Sequence, residues 1–183
     1  PQQLLQFIVP DFFGNPATLN YWGVWNYCEF IGYIGIVALI LAGSALFLGG
    51  VATFWSVILI ISLILMIESP MTHLIYSMRI PIFSSLQPTR LMVLVDLSLA
   101  ILSALGLEAL QKDKITRLTK SFSVIALLLL GVFIVVLYML GTISDTTSVS
   151  NFMVAKRNLI IPIVLLLIFG SLIAISHALK WRH

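Results

Sequence analysis

The sequence has 183 residues, of which 60% are hydrophobic and only 9% are charged. An ordinary soluble domain carries roughly 25% charged residues, so this composition excludes a water-soluble globular protein and predicts a protein embedded in lipid. The formal net charge is +3. The basic residues flank apolar stretches instead of forming one stripe, which argues against a nucleic-acid partner.

The opening residues 1–13 lack the charged start, apolar core and small-residue cleavage site of a signal peptide. A multispanning protein needs an insertion signal near its true start. We therefore expect the chain to be a piece of a longer polytopic protein.

Five apolar stretches are long enough to cross a bilayer, whose roughly 30 Å hydrocarbon core takes about 17 to 25 helical residues. The sequence lacks the alternating segments of a β-barrel, so these stretches are predicted to be helices. They cover residues 30–48, 51–67, 91–110, 122–141 and 159–179. We predict an all-α polytopic bundle of about five spanning helices, forming a single transmembrane domain over residues 1–183.

Positive charge in short loops predicts which ends of the helices are cytoplasmic. Six of the ten basic residues lie in the connection 111–120 and at the carboxyl terminus. The sequence therefore predicts a multi-pass cell-membrane protein with a cytoplasmic carboxyl terminus and with residues 1–29, 68–90 and 142–158 outside. Lys156 and Arg157 depart from this pattern.

The first two predicted outer segments are long and rich in proline and aromatic residues, whereas residues 142–151 are polar and typical of a linker. Tyrosine and tryptophan are enriched at membrane interfaces, which favours interface-lying helices or partly re-entrant loops in those two segments. Long loops on a rigid scaffold often carry function. The outer face is therefore the predicted functional face.

Asp96 lies inside the third predicted span, where a carboxylate costs at least roughly 2.5 kcal/mol unless it is paired, hydrated or protonated. With Ala100 and Ser103 it forms a small, polar stripe that should pack inward. Asp96 is a candidate substrate-binding carboxylate; the alternative is a packing hydrogen bond with a neighbouring helix.

Arg79 and Arg90 flank the prolines of the second outer segment. A guanidinium at the membrane edge suits two-point binding of a lipid phosphate, although it can equally reach toward headgroups without a specific ligand. Glu29 and Asp11 share the predicted outer face and are candidate polar contacts to the same ligand. The sequence predicts no metal site, no cofactor and no recognisable catalytic residue.

Two outer motifs carry a family resemblance: an aromatic Pro-Phe-Phe-Gly-like segment before an Asn-Tyr-Glu-Tyr-Gly-like helix start, and an arginine-proline-arginine-like helix start. Over residues 8 to 110 the chain resembles the C-proximal membrane region of YfhO-type bacterial membrane proteins. Leu86 stands where the first arginine of the second motif would be. The matching residues are Pro10, Phe12, Phe13, Gly14, Asn26, Tyr27, Glu29, Tyr33, Gly35, Pro88 and Arg90.

The resemblance implies a GT-C-like multispanning fold and a role in cell-envelope glycosylation, with a polyprenyl-phosphate-linked sugar as the outer-face donor and membrane lipid as a partner. If the protein is an enzyme, the resemblance implies a glycosyltransferase whose catalytic carboxylate lies outside this chain. The alternatives are a transporter or flippase subunit, in which Asp96 gates a polar pathway, and a non-catalytic membrane scaffold.

Overall fold

The structure is a computed structural model that describes residues 2–24, 26–67, 70–78, 87–112 and 115–180. Within those ranges the regular structure is helical, which confirms the predicted all-α fold. The α-helices are α1 (Ile36–Ala45), α2 (Val51–Met66), α3 (Pro70–Ser77), α4 (Met92–Gln111), α5 (Ile115–Thr142), α6 (Thr146–Asn158) and α7 (Ile160–Lys180). Short 3-10 helices cover Gln2–Phe7, Pro16–Thr18, Tyr27–Phe30 and Pro88–Leu91.

Three helical stretches are long and apolar enough to cross a membrane: Pro88–Gln111, Thr116–Thr142 and Thr146–Ser176. Helices α1 and α2 are also apolar but shorter, with 10 and 16 residues. Large apolar side chains on α5 and α7 are exposed, among them Leu127 and Leu167 at 67% each. Such a surface requires a lipid solvent, so these helices support the prediction of a membrane-spanning protein.

The first predicted span, residues 30–48, is wrong at its beginning. Helix α1 begins only at Ile36, because Gly35 before it has a φ of 97° that a right-handed helix does not allow. Gly32 lies so close to Phe7 that an added Cβ would be 2.3 Å from the ring. The 3-10 helix Gln2–Phe7 therefore covers part of this irregular segment.

Residues 142–158 were predicted to form an outer loop, and the loop is wrong because most of the segment forms α6. Its placement on the outer side stays a prediction. The Asp145 side chain accepts a hydrogen bond from the Ser148 backbone N–H at 2.8 Å and so caps the first turn. Ala155 is fully buried near the other end of the helix. Capping and packing on one face therefore make a helix of a segment whose polar composition is typical of a linker.

The basic connection between the third and fourth spans is shorter than predicted. Helix α5 begins at Ile115 instead of at residue 122, so Arg117 and Lys120 lie on its first turns. Leu118, between them, is 2% exposed and packs in the core. That buried leucine fixes the first turns of α5 against the bundle and leaves both basic side chains at its edge.

Helix α1 lies at the centre of the packing, with α4 on one side and α5 on the other. Ser103 of α4 places its Oγ 2.8 Å from the Ala38 carbonyl oxygen of α1. Ser121 of α5 places its Oγ 2.7 Å from the Ile40 carbonyl oxygen. Small and hydroxyl-bearing residues let helix backbones approach closely, which is how helices associate in membranes.

Two buried clusters flank α1. One contains Phe12, Phe13, Ile36, Ile40, Leu118, Ile125, Leu129 and Leu159. The other contains Phe7, Ala42, Ala45, Leu59, Val95, Leu99 and Leu102. Phe12 and Phe13 thus pack with α5 and α7 on one side of α1, whereas Phe7 packs with α2 and α4 on the other.

Segments predicted on the same side of the membrane meet at the same end of the bundle. Thr89 Oγ1 donates a hydrogen bond to Glu29 Oε2 at 2.8 Å, which joins the first two predicted outer segments. Arg117 Nη1 donates to the Phe47 carbonyl oxygen at 3.1 Å at the opposite end. We call these the amino-terminal end and the basic end. Which of them faces outside stays a prediction.

Candidate functional site

Asp11 lies at the centre of a hydrogen-bonded group at the amino-terminal end. The Tyr27 hydroxyl donates to one of its carboxylate oxygens, and Asn15 Nδ2 donates to the other at 3.1 Å. The Asp11 carbonyl oxygen accepts a hydrogen bond from Asn158 Nδ2 of α6 at 2.5 Å. Because both carboxylate oxygens bind neighbouring side chains, the arrangement favours a structural role for Asp11 over the predicted ligand contact.

The Tyr27 hydroxyl is held in its neutral form by this environment. Burial, followed by the hydrogen bond to the Asp11 carboxylate, raises the pKa of Tyr27 above its ordinary value of 10.0. Burial also raises the pKa of Tyr21, whose ring centroid lies 5.3 Å from that of Tyr27. The raised pKa keeps the Tyr27 hydroxyl a donor to Asp11 to a higher pH than an ordinary phenol would allow.

The aromatic segment that follows Asp11 forms a fixed platform against α6. The Trp22 ring centroid lies 4.9 Å from that of Phe13 and 5.7 Å from that of Phe152 on α6. Trp22 also donates its backbone N–H to the Phe13 carbonyl oxygen at 2.9 Å. A Cβ on Gly14 would lie 2.1 Å from the Asn20 carbonyl oxygen, so the loop closes tightly only with glycine there.

Glu29 and Arg90 are brought to the same place by a contact that links residues far apart in the sequence. The hydrogen bond from Thr89 fixes the half-buried Glu29 carboxylate beside the 3-10 turn Pro88–Leu91. Arg90 is in that turn, and its side chain is exposed. Among the described residues no carboxylate forms an ion pair with Arg90. The turn therefore presents a carboxylate, a hydroxyl and a guanidinium at one end of α4.

A cavity of 520 Å³ lies beside this turn, between the helix Gln2–Phe7, the junction of α2 and α3, and the beginning of α4. We call it the amino-terminal cavity. Its apolar wall includes Leu4, Phe7, Phe30, Met66 and Met92, and its polar rim includes Gln2, Gln3, Thr72, His73 and Thr89. Its volume lies in the range of roughly 300 to 1,000 Å³ typical of small-molecule sites. Because an apolar wall and a polar rim adjoin in one cavity, it suits an amphipathic ligand.

Asp96 lies further along α4 and, like Glu29 and Arg90, is not itself among the residues that line the amino-terminal cavity. Its Oδ1 atom is buried, and no hydrogen-bond partner for it lies within the described ranges. Ser103 faces α1, as the predicted stripe requires, but Ala100 is exposed. The prediction that the stripe packs inward is therefore wrong at Ala100, because the small residues of α4 lie on more than one face of the helix.

The structure thus separates the five predicted ligand contacts. Glu29 and the Arg90 turn meet beside the amino-terminal cavity, Asp11 holds the amino-terminal segment, and Asp96 lies deeper in α4. Arg79 lies outside the described residues. Sequence reasoning missed Thr89, although its position between the two matched motif residues Pro88 and Arg90 was a signal that could have identified it.

Thr72 and His73 were also missed as rim residues. The Thr72 hydroxyl lies 2.8 Å from the Ile67 carbonyl oxygen, so it holds the junction of α2 and α3. His73 is exposed at the cavity rim. Within the described residues no group of three or more His, Cys, Asp or Glu side chains is placed to hold a metal ion.

No protein-family model, curated protein or solved structure matches the chain. Its function therefore has to be inferred from the amino-terminal cavity, the polar turn beside it and the resemblance of its motifs.

Proposed function

We propose that the chain forms the part of a multispanning cell-envelope glycosylation protein that holds a polyprenyl-phosphate-linked sugar at the outer face. The observation that carries the proposal is the amino-terminal cavity, whose apolar wall and polar rim lie beside the Arg90 turn. The wall suits the isoprenoid units next to the phosphate, and the rim suits the phosphate and sugar. The motif resemblance to YfhO-type proteins supports the same ligand class.

Arg90 is the proposed phosphate contact. A guanidinium can donate two parallel hydrogen bonds to phosphate oxygens, and the exposed Arg90 side chain is not engaged by a carboxylate within the described residues. It also lies at the beginning of the helical stretch Pro88–Gln111, where the helix dipole favours negative charge.

Glu29 is the proposed contact to a sugar hydroxyl. Its Oε2 atom accepts the hydrogen bond from Thr89. In the described part of the chain Oε1 accepts no hydrogen bond, so it is available as an acceptor for a ligand hydroxyl. Thr89 acts as a positioning residue for the Glu29 carboxylate.

The test uses the intact protein in membranes, with transfer of a labelled sugar from polyprenyl-phosphate donors and donor binding as the two measurements. We expect Arg90→Ala to weaken donor binding roughly ten- to hundredfold, the value of hydrogen bonds to a charged group, and Arg90→Lys to restore part of it. Arg157→Ala is the matched control, because Arg157 is an exposed arginine in the last turn of α6. Unchanged binding and transfer in Arg90→Ala would remove the phosphate role.

A transporter or flippase subunit is the second candidate function, and Asp96 is the observation that favours it. A buried carboxylate oxygen with no partner among the described residues suits a site that binds a proton or polar cargo in passing. If this candidate is right, Asp96→Asn will abolish movement of the lipid-linked sugar across vesicles while donor binding stays normal. Normal movement in that variant would discard it.

A further inference from the structure

A second cavity, with a volume of 670 Å³, lies along α1 and reaches the basic end. Ala42 and Gly43 of α1 form part of its floor. Leu59 of α2 and Leu99 of α4 line one wall, and Leu128 of α5 lines the other. We call it the basic-end cleft. Its walls are apolar over most of their length, so it suits a hydrocarbon chain.

The cleft follows from how the helices pack. Helices α4 and α5 each pack mainly against α1 and much less against one another. Ala42 belongs to the cluster shared with α2 and α4, whereas Ile125 belongs to the cluster shared with α7. The cleft runs along the boundary between these two clusters. Gly43 lets α1 and α5 approach closely at its floor, because an added Cβ would lie 2.4 Å from the Ser121 Oγ.

One end of the cleft carries positive charge. Arg117 and Lys120 both line it, and residues three apart on a helix are neighbours on its surface. Arg117 is oriented by the bond from its Nη1 to the Phe47 carbonyl oxygen, which leaves further N–H donors of the guanidinium for a ligand. Within the described residues, neither Arg117 nor Lys120 pairs with a carboxylate. The end of the cleft is therefore complementary to an anion.

We infer that the basic-end cleft binds one acyl chain of an anionic phospholipid, with the lipid phosphate at Arg117 and Lys120. Along α5 the cleft runs from Arg117 to Leu128, which is about 17 Å at 1.5 Å per residue. One leaflet contributes about half of the roughly 30 Å hydrocarbon core. The cleft thus has the length of a single leaflet, with its charges at headgroup level.

The predicted orientation selects the same ligand. The basic end is predicted to be cytoplasmic, and the cytoplasmic leaflet is the one whose anionic lipids attract clusters of lysine and arginine. Arg117 and Lys120 lie at the opposite end of the bundle from Arg90, so removing their charge leaves the proposed donor contacts intact, although Leu4 and Phe7 line both cavities.

The experiment measures binding of dioleoyl phosphatidylglycerol and of dioleoyl phosphatidylcholine to the purified full-length protein. We expect one tightly bound phosphatidylglycerol and weaker phosphatidylcholine. The double substitution Arg117→Ala with Lys120→Ala should weaken phosphatidylglycerol binding about 30-fold, which is what two cations near an anionic surface contribute. Val124→Trp, at a cleft position 57% exposed, should also weaken it by filling the cleft.

Two control variants match these changes. Lys156→Ala with Arg157→Ala removes the same charge from exposed positions on α6, and Val135→Trp adds the same ring on α5 at a position 52% exposed outside the cleft. Both controls should bind phosphatidylglycerol like the wild type. Lys120→Ala alone, an exposed change, keeps the test informative if the double variant fails to fold.

Three results would overturn the inference. If the cleft variants bind phosphatidylglycerol with wild-type affinity, the cleft is not the binding site. If the control variants lose as much affinity as the cleft variants, the binding is general attraction of the lipid to surface charge. Displacement of phosphatidylglycerol by glycerol 3-phosphate at equal concentration would show that the acyl chain contributes nothing.

Discussion

The two ends of the bundle are stabilised in different ways. At the amino-terminal end, irregular segments are held by side-chain hydrogen bonds, such as those from Tyr27 to Asp11 and from Thr89 to Glu29. At the basic end, α1 and α2 are joined by a tight turn with Gly49 at a φ of 89°, and the helices meet through small residues. Polar side chains thus shape the end that carries the proposed donor site, whereas at the basic end close contacts between small residues hold α1 and α4 together beside the cleft.

The largest expected effect comes from the close packing of α1 and α4. A Cβ on Gly106 would lie 2.1 Å from the Leu41 carbonyl oxygen, so Gly106→Ala must push the two helices apart. Overpacking of this kind typically costs about 1 to 3 kcal/mol, and we expect a lower thermal midpoint of unfolding. Gly131→Ala is the control, because nothing lies within 4 Å of its added Cβ. Equal midpoints in the two variants would contradict the close contact.

A matching change at the amino-terminal end should act more locally. Gly14→Ala places its Cβ 2.1 Å from the Asn20 carbonyl oxygen at a φ of 79°. We expect faster amide hydrogen exchange over residues 11–22 with a smaller drop in thermal midpoint than in Gly106→Ala, because the strained contact lies within the loop itself, whereas that of Gly106→Ala lies between α1 and α4. A drop in thermal midpoint as large as that of Gly106→Ala would contradict the claim that the two ends are stabilised differently.

The Tyr27 hydroxyl gives the amino-terminal end a dependence on alkaline pH. The pKa of Tyr27 is raised above 10.0 in the folded protein, so its contribution is complete below pH 10 and is lost as pH rises through the folded value. The difference between the tyrosinate titrations of the wild type and Tyr27→Phe should therefore show a midpoint above 10. A midpoint at the ordinary value would mean that neither the burial of the Tyr27 hydroxyl nor its contact with Asp11 persists in solution.

The smallest expected effect is at the cap of α6. The hydrogen bonds from Ser148 lower the pKa of Asp145 below its ordinary 3.8, so the cap is complete above that pH and is lost as pH falls through the lower folded value. Asp145→Ala should speed amide exchange in the first turn of α6, whereas Asp145→Asn should preserve it. Equal exchange in both variants would show that the cap does not hold the turn.

The sequence predicted the spans of α2, α4 and α7 to within a few residues, because long apolar windows are a strong signal. It failed where short-range features decide the structure. Gly35 delays the beginning of α1, Asp145 caps a helix inside a polar segment, and Leu118 extends α5 into the basic connection. None of these features changes average hydropathy enough to be read from composition.

The candidate site was predicted only in part, for a different reason. Glu29 and Arg90 were both identified from the sequence, but their proximity depends on a hydrogen bond between Glu29 and Thr89, which are distant in sequence. The apolar wall of the amino-terminal cavity comes from four separate segments, which hydropathy cannot bring together. The hydrogen bonds of Asp11 with Tyr27 and Asn158 likewise join residues distant in sequence, and its ligand contact stays a prediction.

The most direct test of the central claim is photo-crosslinking of the intact protein in membranes with a polyprenyl phosphate that carries a diazirine near its phosphate. The account predicts labelling of the amino-terminal cavity at Met66, Met92 or Phe30, with labelling reduced in Arg90→Ala and retained in Arg157→Ala. Labelling confined to lipid-facing positions such as Leu127 and Leu167, unaffected by Arg90→Ala, would contradict it.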